Sequence, residues 1–276
     1  HGGVMAVVGD DPAAKSSTLP SSSDATLVDL HMPILFPGDV QEALDLSRHA
    51  IALSRASGMW VGLKLVTAVA DGTGTVDVHP DRVVPEIPTA EFDGKRFVPH
   101  PSGRLLTPYT LEMEREFQLV RSDLARRYGV VNKLNRVTVS TSRDWLGIAA
   151  SGHTYHELRE ALGLLGLRTD DELRAAGIRL AHLLMPVPVD EQRIREFARG
   201  LAEVLIVEEK NPTLELIVKG PMYDSDERPR VVGRHDANGA PLVPGTGTLD
   251  ADRLVEPLHR VLAERLGRDV SRRASR

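Results

Sequence analysis

The most informative absence in this sequence is cysteine, of which its 276 residues contain none. Without cysteine there can be no disulfide bond, no cysteine-ligated zinc and no iron–sulfur cluster held within these residues. Long apolar runs are also missing, since none reaches the roughly 18 residues that a membrane-spanning helix needs. Residues 1–10 lack the basic start and the small-residue cleavage site of a signal peptide. We therefore expect a cytoplasmic protein with no membrane association.

An excess of charge of one sign is missing as well. Charged residues make up 26% of the sequence, but acidic and basic side chains are mixed and the net charge is only −5. The densest basic cluster lies at the end of the sequence, where we predict a solvated basic tail over residues 268–276. A nucleic-acid partner is therefore not expected.

What the sequence does contain is a regular α/β pattern between Asp144 and Lys219. Thr154 and Glu157 stand at the spacing of a capping box before one amphipathic segment, and Asp190 caps a second one. These two segments alternate with three apolar runs, at residues 145–152, 178–185 and 204–207. Three strands that alternate with two helices predict a parallel sheet with right-handed crossovers.

The N-terminal residues predict a second α/β unit. A strand at Gly3–Val8 is followed by a hydroxyl-rich loop at residues 16–24, then by a short strand at 34–36, a helix from Asp39 to Gly58 and a strand at 60–69. No preceding helix covers the first strand, so the chain looks cut from a longer polypeptide. The loop could be a mobile surface loop. It could also be a ligand-binding loop, because ligands bind beyond the carboxyl ends of strands in open α/β sheets.

Between and after these units the pattern is looser. Glycine and proline interrupt residues 71–108, which is typical of an interdomain connection. We predict a helix over 110–128 that stops at Gly129, a β segment over 136–141 and a terminal helix over 250–266. A length of 276 residues fits two such domains.

Five motifs in the same order resemble the large subunit of indolepyruvate ferredoxin oxidoreductases. The segment Gly2–Ser17 is similar to that family's GG-(apolar)-ADDP-x-x-x-SSQ strand and loop, and Pro37–Ala43 is similar to the helix start that follows. Residues 147–152, 184–188 and 204–209 resemble the GI-(apolar)-SG strand, the MP-x-P turn and the VVEE strand of its second domain. The loop departs from the family pattern at two positions.

The resemblance implies a fold and a division into domains. Residues 1–70 would form the C-terminal part of a pyrimidine-type domain that binds thiamine diphosphate. Residues 71–134 would be a linker with a linker helix, and residues 135–267 a transketolase-C-like α/β domain. The basic tail at 268–276 would follow.

The resemblance also implies an activity. Such enzymes oxidatively decarboxylate a 2-oxoacid, here indolepyruvate or another aryl or branched one, on thiamine diphosphate with magnesium. They form an acyl-CoA from coenzyme A and pass electrons through iron–sulfur clusters to ferredoxin. Thiamine diphosphate and magnesium would be bound mainly by segments outside this chain. The partners would be the remaining domains or subunit of the same oxidoreductase, in a homo-oligomer. We expect the isolated fragment to be inactive.

The resemblance assigns a substrate role to four residues of the loop. Ser16, Ser17 and Thr18 align with a segment that faces the substrate, where their hydroxyls could bind the carboxylate of the oxoacid. Lys15, which replaces the family's usual histidine, could pair its ammonium with that carboxylate. Thr18 replaces the family's glutamine. The alternatives are a non-catalytic assembly and dimerisation module and a transketolase or 2-oxoacid dehydrogenase β-type protein.

Three other groups of residues carry alternative interpretations. Asp10 and Asp11 form a carboxylate pair of the kind that suits a hard cation, but the glycine and asparagine of the thiamine enzymes' magnesium motif are missing. His153 and His156 could face one way from a helix, yet without a third ligand a surface role is favoured over zinc. The pair Glu208-Glu209 at a strand end is a solvated strand end, a partner contact or a general acid. No catalytic residue is predicted.

Overall fold

The computed structural model describes residues 2–223, 225–226 and 228–266. The predicted basic tail lies outside the described residues. Of the helices within the described ranges, none combines the length and apolar character that crossing a membrane requires.

The first half of the chain builds a small parallel sheet and the helices around it. Its elements are β1 Met5–Asp10, α1 Asp24–Asp29, β2 Ile34–Leu35, α2 Val40–Ser57, β3 Val61–Val66, α3 Thr67–Ala70, the hairpin β4 Glu91–Phe92 and β5 Lys95–Arg96, α4 Tyr109–Glu116 and α5 Ser122–Val131. The strand order is β1-β3-β2, and all three strands run parallel. Helices α2 and α5 cover one face of this sheet.

The second half of the chain builds a larger sheet. Its elements are β6 Asn135–Val139, β7 Leu146–Ser151, α6 Gly152–Leu164, α7 Asp170–Ala175, β8 Ile178–Leu183, α8 Glu191–Ala198, β9 Glu203–Val207, α9 Thr213–Met222, β10 Arg230–Val232 and α10 Ala251–Leu266. The strand order is β10-β9-β7-β8-β6, and only β6 is antiparallel to its neighbour. Helices α6 and α10 bury one face, and α8 and α9 pack on the other.

The predicted parallel sheet is confirmed, and so are several of the predicted helix ends. Asp39 accepts the Glu42 N–H at the start of α2, and Gly58 ends that helix in the left-handed conformation. Asp190 caps α8 by accepting the Arg193 N–H. Capping residues fix these boundaries locally, which is why the sequence predicted them.

Two other local predictions were wrong, and one helix was not predicted. Thr154 and Glu157 do not form a capping box, because α6 begins at Gly152 and Glu157 instead accepts the N–H of Ala251, the first residue of α10. Gly129 does not end α5, which continues to Val131; a Cβ at residue 129 would meet Met185 at 2.6 Å. Helix α9 was not predicted because Gly220 and Pro221 within it and Pro212 before it resemble loop signals.

The two sheets are joined along β2. The N–H of Ile34 donates to the carbonyl of Val187, and the N–H of Phe36 donates to the carbonyl of Leu184, at 2.8 and 2.9 Å. Gly152 at the start of α6 lies directly against Phe36, so that a Cβ there would approach the ring to 2.5 Å. Close backbone approach therefore fixes the second sheet against the first.

Replacing Gly152 by alanine should break this contact. The residue has a φ of +47°, so the new Cβ would be strained as well as crowded against Phe36. We expect Gly152→Ala to lower the free energy of unfolding by about 2 kcal/mol or more in urea titrations. Gly163→Ala in the same helix is the matched control, because its Cβ would meet nothing closer than 3.4 Å and should stabilise the helix. Equal effects of the two substitutions would contradict this packing.

Candidate functional site

The carboxyl ends of strands from both sheets meet around a cavity of about 30 Å³. Lys64 of β3 and Asp24 of α1 line it from the first sheet, while Ser151 of β7 and Glu208 and Glu209 after β9 line it from the second. Such a volume has room for about one water molecule. The place where the strand ends of two α/β sheets converge is where ligands bind in this class of fold, so it defines the candidate site.

Lys64 is the central charge of this site. Its side chain is 6% exposed, and its ammonium pairs with Asp24 and, at 3.4 Å, with Asp10. The ammonium also lies 4.5 Å from the centre of the Phe36 ring. Burial alone would lower the pKa of Lys64, but the carboxylates of Asp24 and Asp10 outweigh burial and raise it. The lysine is therefore a permanent buried cation.

The hydroxyl-rich loop is held at its base by Asp10, the last residue of β1, and by Asp11, which follows it. Asp10 accepts the N–H and the hydroxyl of Ser23, both at 3.0 Å. Asp11 accepts the backbone N–H groups of Ser16, Lys15 and Ser17 at 2.6–2.9 Å. The N–H of Ser16 foremost, with those of Lys15 and Ser17, lowers the pKa of Asp11 well below its ordinary value. The loop is thus held as an ordered turn around an anion.

This arrangement does not fit a magnesium-diphosphate site. The carboxylate oxygens of Asp11 are occupied by three N–H groups, and Asp10 is taken up by Ser23 and Lys64. Magnesium requires carboxylate oxygens that are free to coordinate it. The acidic pair therefore organises the loop, and thiamine diphosphate with magnesium would have to be held by other residues.

The four predicted substrate residues lie together at the exposed tip of this loop. Residues 15–18 are all exposed, while the backbone N–H groups of residues 15–17 donate to Asp11. The hydroxyl of Ser17 donates to the Leu19 carbonyl at 2.7 Å. The structure brings the four residues together beyond the carboxyl end of β1, and their role remains a prediction.

Glu208 and Glu209 hold local structure on the other side of the site. Both carboxylate oxygens of Glu208 accept N–H groups at the start of α9, from Leu214 at 2.7 Å and Glu215 at 2.9 Å. Burial raises the pKa of Glu208 to about 7 despite these bonds. Glu209 accepts the Leu249 N–H at 2.7 Å and so fixes the loop before α10. Neither glutamate is therefore a solvated strand end, which was one of the alternatives that the sequence allowed.

The two histidines of α6 point to different partners. His153 bonds Glu157 at 3.1 Å, and this bond raises the pKa of His153. His156 lies instead beside Glu42 of α2 and His182 of β8, which are the groups that could hold a metal ion. Burial lowers the pKa of His182 to about 4, so its ring is neutral near pH 7. The disfavoured alternative, in which His153 and His156 share one zinc ion, is therefore not supported.

Sequence reasoning missed Lys64 and His182, although both left a signal. Lys64 is the single ionisable residue of the strand Val61–Val66, and His182 lies in the mainly apolar strand Ile178–Leu183, which also carries Arg179. Lysine is almost never fully buried unless it is paired, so a lysine in a buried strand predicts a buried partner. Which partner that would be depends on the tertiary fold.

A family model for the indolepyruvate oxidoreductase domain matches residues 136–274, which is half of the chain. The chain belongs to the indolepyruvate oxidoreductase family. This confirms the resemblance drawn from the five motifs.

Curated relatives agree with this family. The chain is 28% identical over 266 residues to the indolepyruvate oxidoreductase subunit IorA of Pyrococcus horikoshii, a match that covers 95% of the chain and 38% of the relative. It is 30% identical over 214 residues to the same subunit of Methanothermobacter thermautotrophicus, covering 77% of the chain and 32% of the relative. The chain thus spans about a third to two fifths of the length of these relatives.

Solved structures confirm the fold class. A 2-oxoglutarate:ferredoxin oxidoreductase from Magnetococcus marinus, solved with 2-oxoglutarate, coenzyme A and succinyl-CoA bound, superimposes with a TM-score of 0.57 at 15% identity. That match covers 93% of this chain and 48% of the other. A split-gene transketolase, an inactive beta4 tetramer, gives 0.50 at 15% identity, covering 94% of this chain and 66% of the other. At this identity the likeness shows an α/β fold of the thiamine-enzyme and transketolase-C types.

Replacing the buried Lys64 by an uncharged residue should lower the stability of the protein. We expect Lys64→Met to lower the free energy of unfolding by about 3–5 kcal/mol, because the buried Asp10 and the partly buried Asp24 would be left without their partner. Chemical denaturation measures this loss. Lys95→Met, on the exposed hairpin, should change it by no more than about 0.5 kcal/mol. A loss under about 1 kcal/mol for Lys64→Met would contradict the buried ion cluster.

Glu208 should make stability depend on pH. Its pKa is about 7 in the folded state, against an ordinary value of 4.5, so the folded protein binds this proton more tightly. The stability it contributes is complete below pH 4.5 and is lost as the pH rises towards 7, on the order of 3 kcal/mol in all.

We expect Glu208→Gln to remove this slope from denaturation curves measured across the same pH range. Glu191→Gln, which removes a charge from the start of α8, is the control and should keep the slope. An unchanged slope in Glu208→Gln would mean that another group titrates.

Proposed function

We propose that this chain is part of a thiamine-diphosphate-dependent enzyme that oxidatively decarboxylates a 2-oxoacid, indolepyruvate or another aryl or branched one. Coenzyme A would accept the acyl group, and ferredoxin the electrons. The observation that carries the proposal is the family match over half of the chain. The bound 2-oxoglutarate and coenzyme A of the Magnetococcus marinus enzyme, which shares the fold, are consistent with it.

In this proposal the chain supplies part of a composite site. Residues 1–70 act as the C-terminal part of a pyrimidine-type domain, residues 71–134 as a linker, and residues 135–267 as a transketolase-C-like domain. Thiamine diphosphate and magnesium are held by other parts of the enzyme, because Asp10 and Asp11 are occupied. The iron–sulfur clusters also lie elsewhere, since this chain has no cysteine. The remaining domains or subunit of the enzyme are the partners, in a homo-oligomer, and we infer that the isolated chain is inactive.

The loop at residues 15–18 is proposed to receive the carboxylate of the 2-oxoacid. A carboxylate needs a cation and hydrogen-bond donors, and Lys15, Ser16 and Thr18 offer both from an exposed tip. Asp11 holds the backbone of this tip in one conformation, which lowers the entropy lost on binding. Ser17 shapes the tip through its bond to Leu19.

The test is kinetic and uses the complete enzyme that contains this chain. Ser16→Ala combined with Ser17→Ala, and separately Lys15→Gln, should lower kcat/KM for the 2-oxoacid about 10-fold or more, because charge-assisted bonds to the substrate are lost. Assembly, measured by size-exclusion chromatography, should be unchanged. Lys95→Gln is the matched control for the lysine change, since Lys95 is exposed on the hairpin.

The second candidate function is a catalytically silent assembly module. It is favoured by an open cavity of about 670 Å³ beside β6 and β8, whose apolar floor includes Val137, Leu183 and Ile194. Unchanged kinetics in the loop variants would support this candidate and contradict the substrate loop. The third alternative, a transketolase or 2-oxoacid dehydrogenase β-type protein, is supported by fold likeness alone.

A further inference from the structure

Three side chains of metal-ligating type converge where the two sheets touch. Glu42 comes from α2, His156 from α6 and His182 from β8, and one ligand atom of each lies within 4.8 Å of the others. Among the described residues this is the one group of three or more such side chains. Since the three come from distant parts of the sequence, no spacing motif could have predicted the group.

The distances within the group are those of ligands rather than of hydrogen bonds. Nε2 of His156 lies 3.6 Å from one Glu42 oxygen, and Nδ1 of His182 lies 3.8 Å from the other. Both separations exceed the length of a hydrogen bond. Two ligands about 2.1 Å from one tetrahedral ion are roughly 3.4 Å apart, so a small ion fits between these atoms with little movement.

One ring nitrogen of each histidine has no hydrogen-bond partner among the described residues. His182 is 3% exposed, and within the described parts of the chain Nε2 of His182 and Nε2 of His156 are both buried with no hydrogen bond. Buried polar atoms are nearly always satisfied, and one that is not requires an explanation. A bound cation explains Nε2 of His156, which faces the carboxylate of Glu42.

Neighbouring groups already orient the three side chains. The Gly38 N–H donates to Glu42 at 2.7 Å. The ring of Tyr155 stacks on that of His182 with their centres 4.1 Å apart. An oxygen of Asp39 lies 4.0 Å from Nε2 of His156 and can supply a fourth ligand. Such supporting contacts around the ligands are characteristic of protein metal sites.

We propose that Glu42, His156 and His182 bind a divalent cation of the zinc type. Two imidazoles and one carboxylate form a set that suits zinc, whereas magnesium and calcium prefer oxygen ligands. The ion would tie α2 of the first sheet to α6 and β8 of the second. Because such a site exists only in the folded protein, zinc would stabilise the contact between the sheets by mass action.

The test is to titrate Zn²⁺ into the 276-residue chain against a competing chromophoric chelator, and to measure Tm with and without Zn²⁺. We expect one ion per chain and a Tm that rises with Zn²⁺. His156→Gln and Glu42→Gln, which conserve side-chain size, should each weaken binding by about 100-fold or more and abolish the rise in Tm.

His153→Gln is the matched control, because this histidine lies on the same helix but bonds Glu157. It should bind Zn²⁺ as tightly as the unaltered chain. The proposal would be overturned if the unaltered chain takes up no Zn²⁺, or if His156→Gln and Glu42→Gln bind it as well as His153→Gln does. The Tm comparison is made on each variant with and without the ion, so a change in its own stability does not alter the result.

Discussion

A buried lysine ammonium is the interaction on which the architecture of the site depends. Lys64 lies on β3, the central strand of the first sheet, where an unpaired charge would cost several kcal/mol. The carboxylates that neutralise it come from the end of β1 and the start of α1. The segment between these two carboxylates is the hydroxyl-rich loop. Neutralising one charge therefore fixes where that loop leaves the sheet and where it returns.

The same region brings the two sheets together. Phe36 receives the Lys64 ammonium on its ring and lies against Gly152 of the second sheet. Two residues after Phe36, Gly38 lies against His156 and donates its N–H to Glu42. The electrostatics of the first sheet and the packing of the second are thus coupled through residues 36–42. A site formed from both sheets would be sensitive to changes in this segment.

The sequence predicted what depends on local signals. Asp39, Gly58 and Asp190 mark helix ends through contacts with neighbouring residues, and the apolar runs of the second half predicted a parallel sheet. The five family motifs predicted the family. These features need no knowledge of how distant segments meet.

What the sequence could not predict depends on tertiary contacts. Gly129 has the sequence pattern of a helix stop, yet in the fold it lies inside α5, where the absence of a Cβ leaves room for Met185. Thr154 and Glu157 have capping-box spacing, but the tight start of α6 at Gly152 and the contact of Glu157 with α10 take precedence. The groups around Lys64 and His182 are assembled from segments that lie far apart in sequence. A lysine in an apolar strand, as at Lys64, indicates that a partner exists but does not identify it.

The central claim is that this chain supplies one part of a composite cofactor site. Calorimetric titration of thiamine diphosphate with magnesium, first into this chain and then into the complete enzyme that contains it, tests that claim most directly. We expect binding to the complete enzyme and none to the chain alone, because Asp10 and Asp11 are committed to the loop and to Lys64. Tight binding to the isolated chain, or no binding to the complete enzyme, would contradict it.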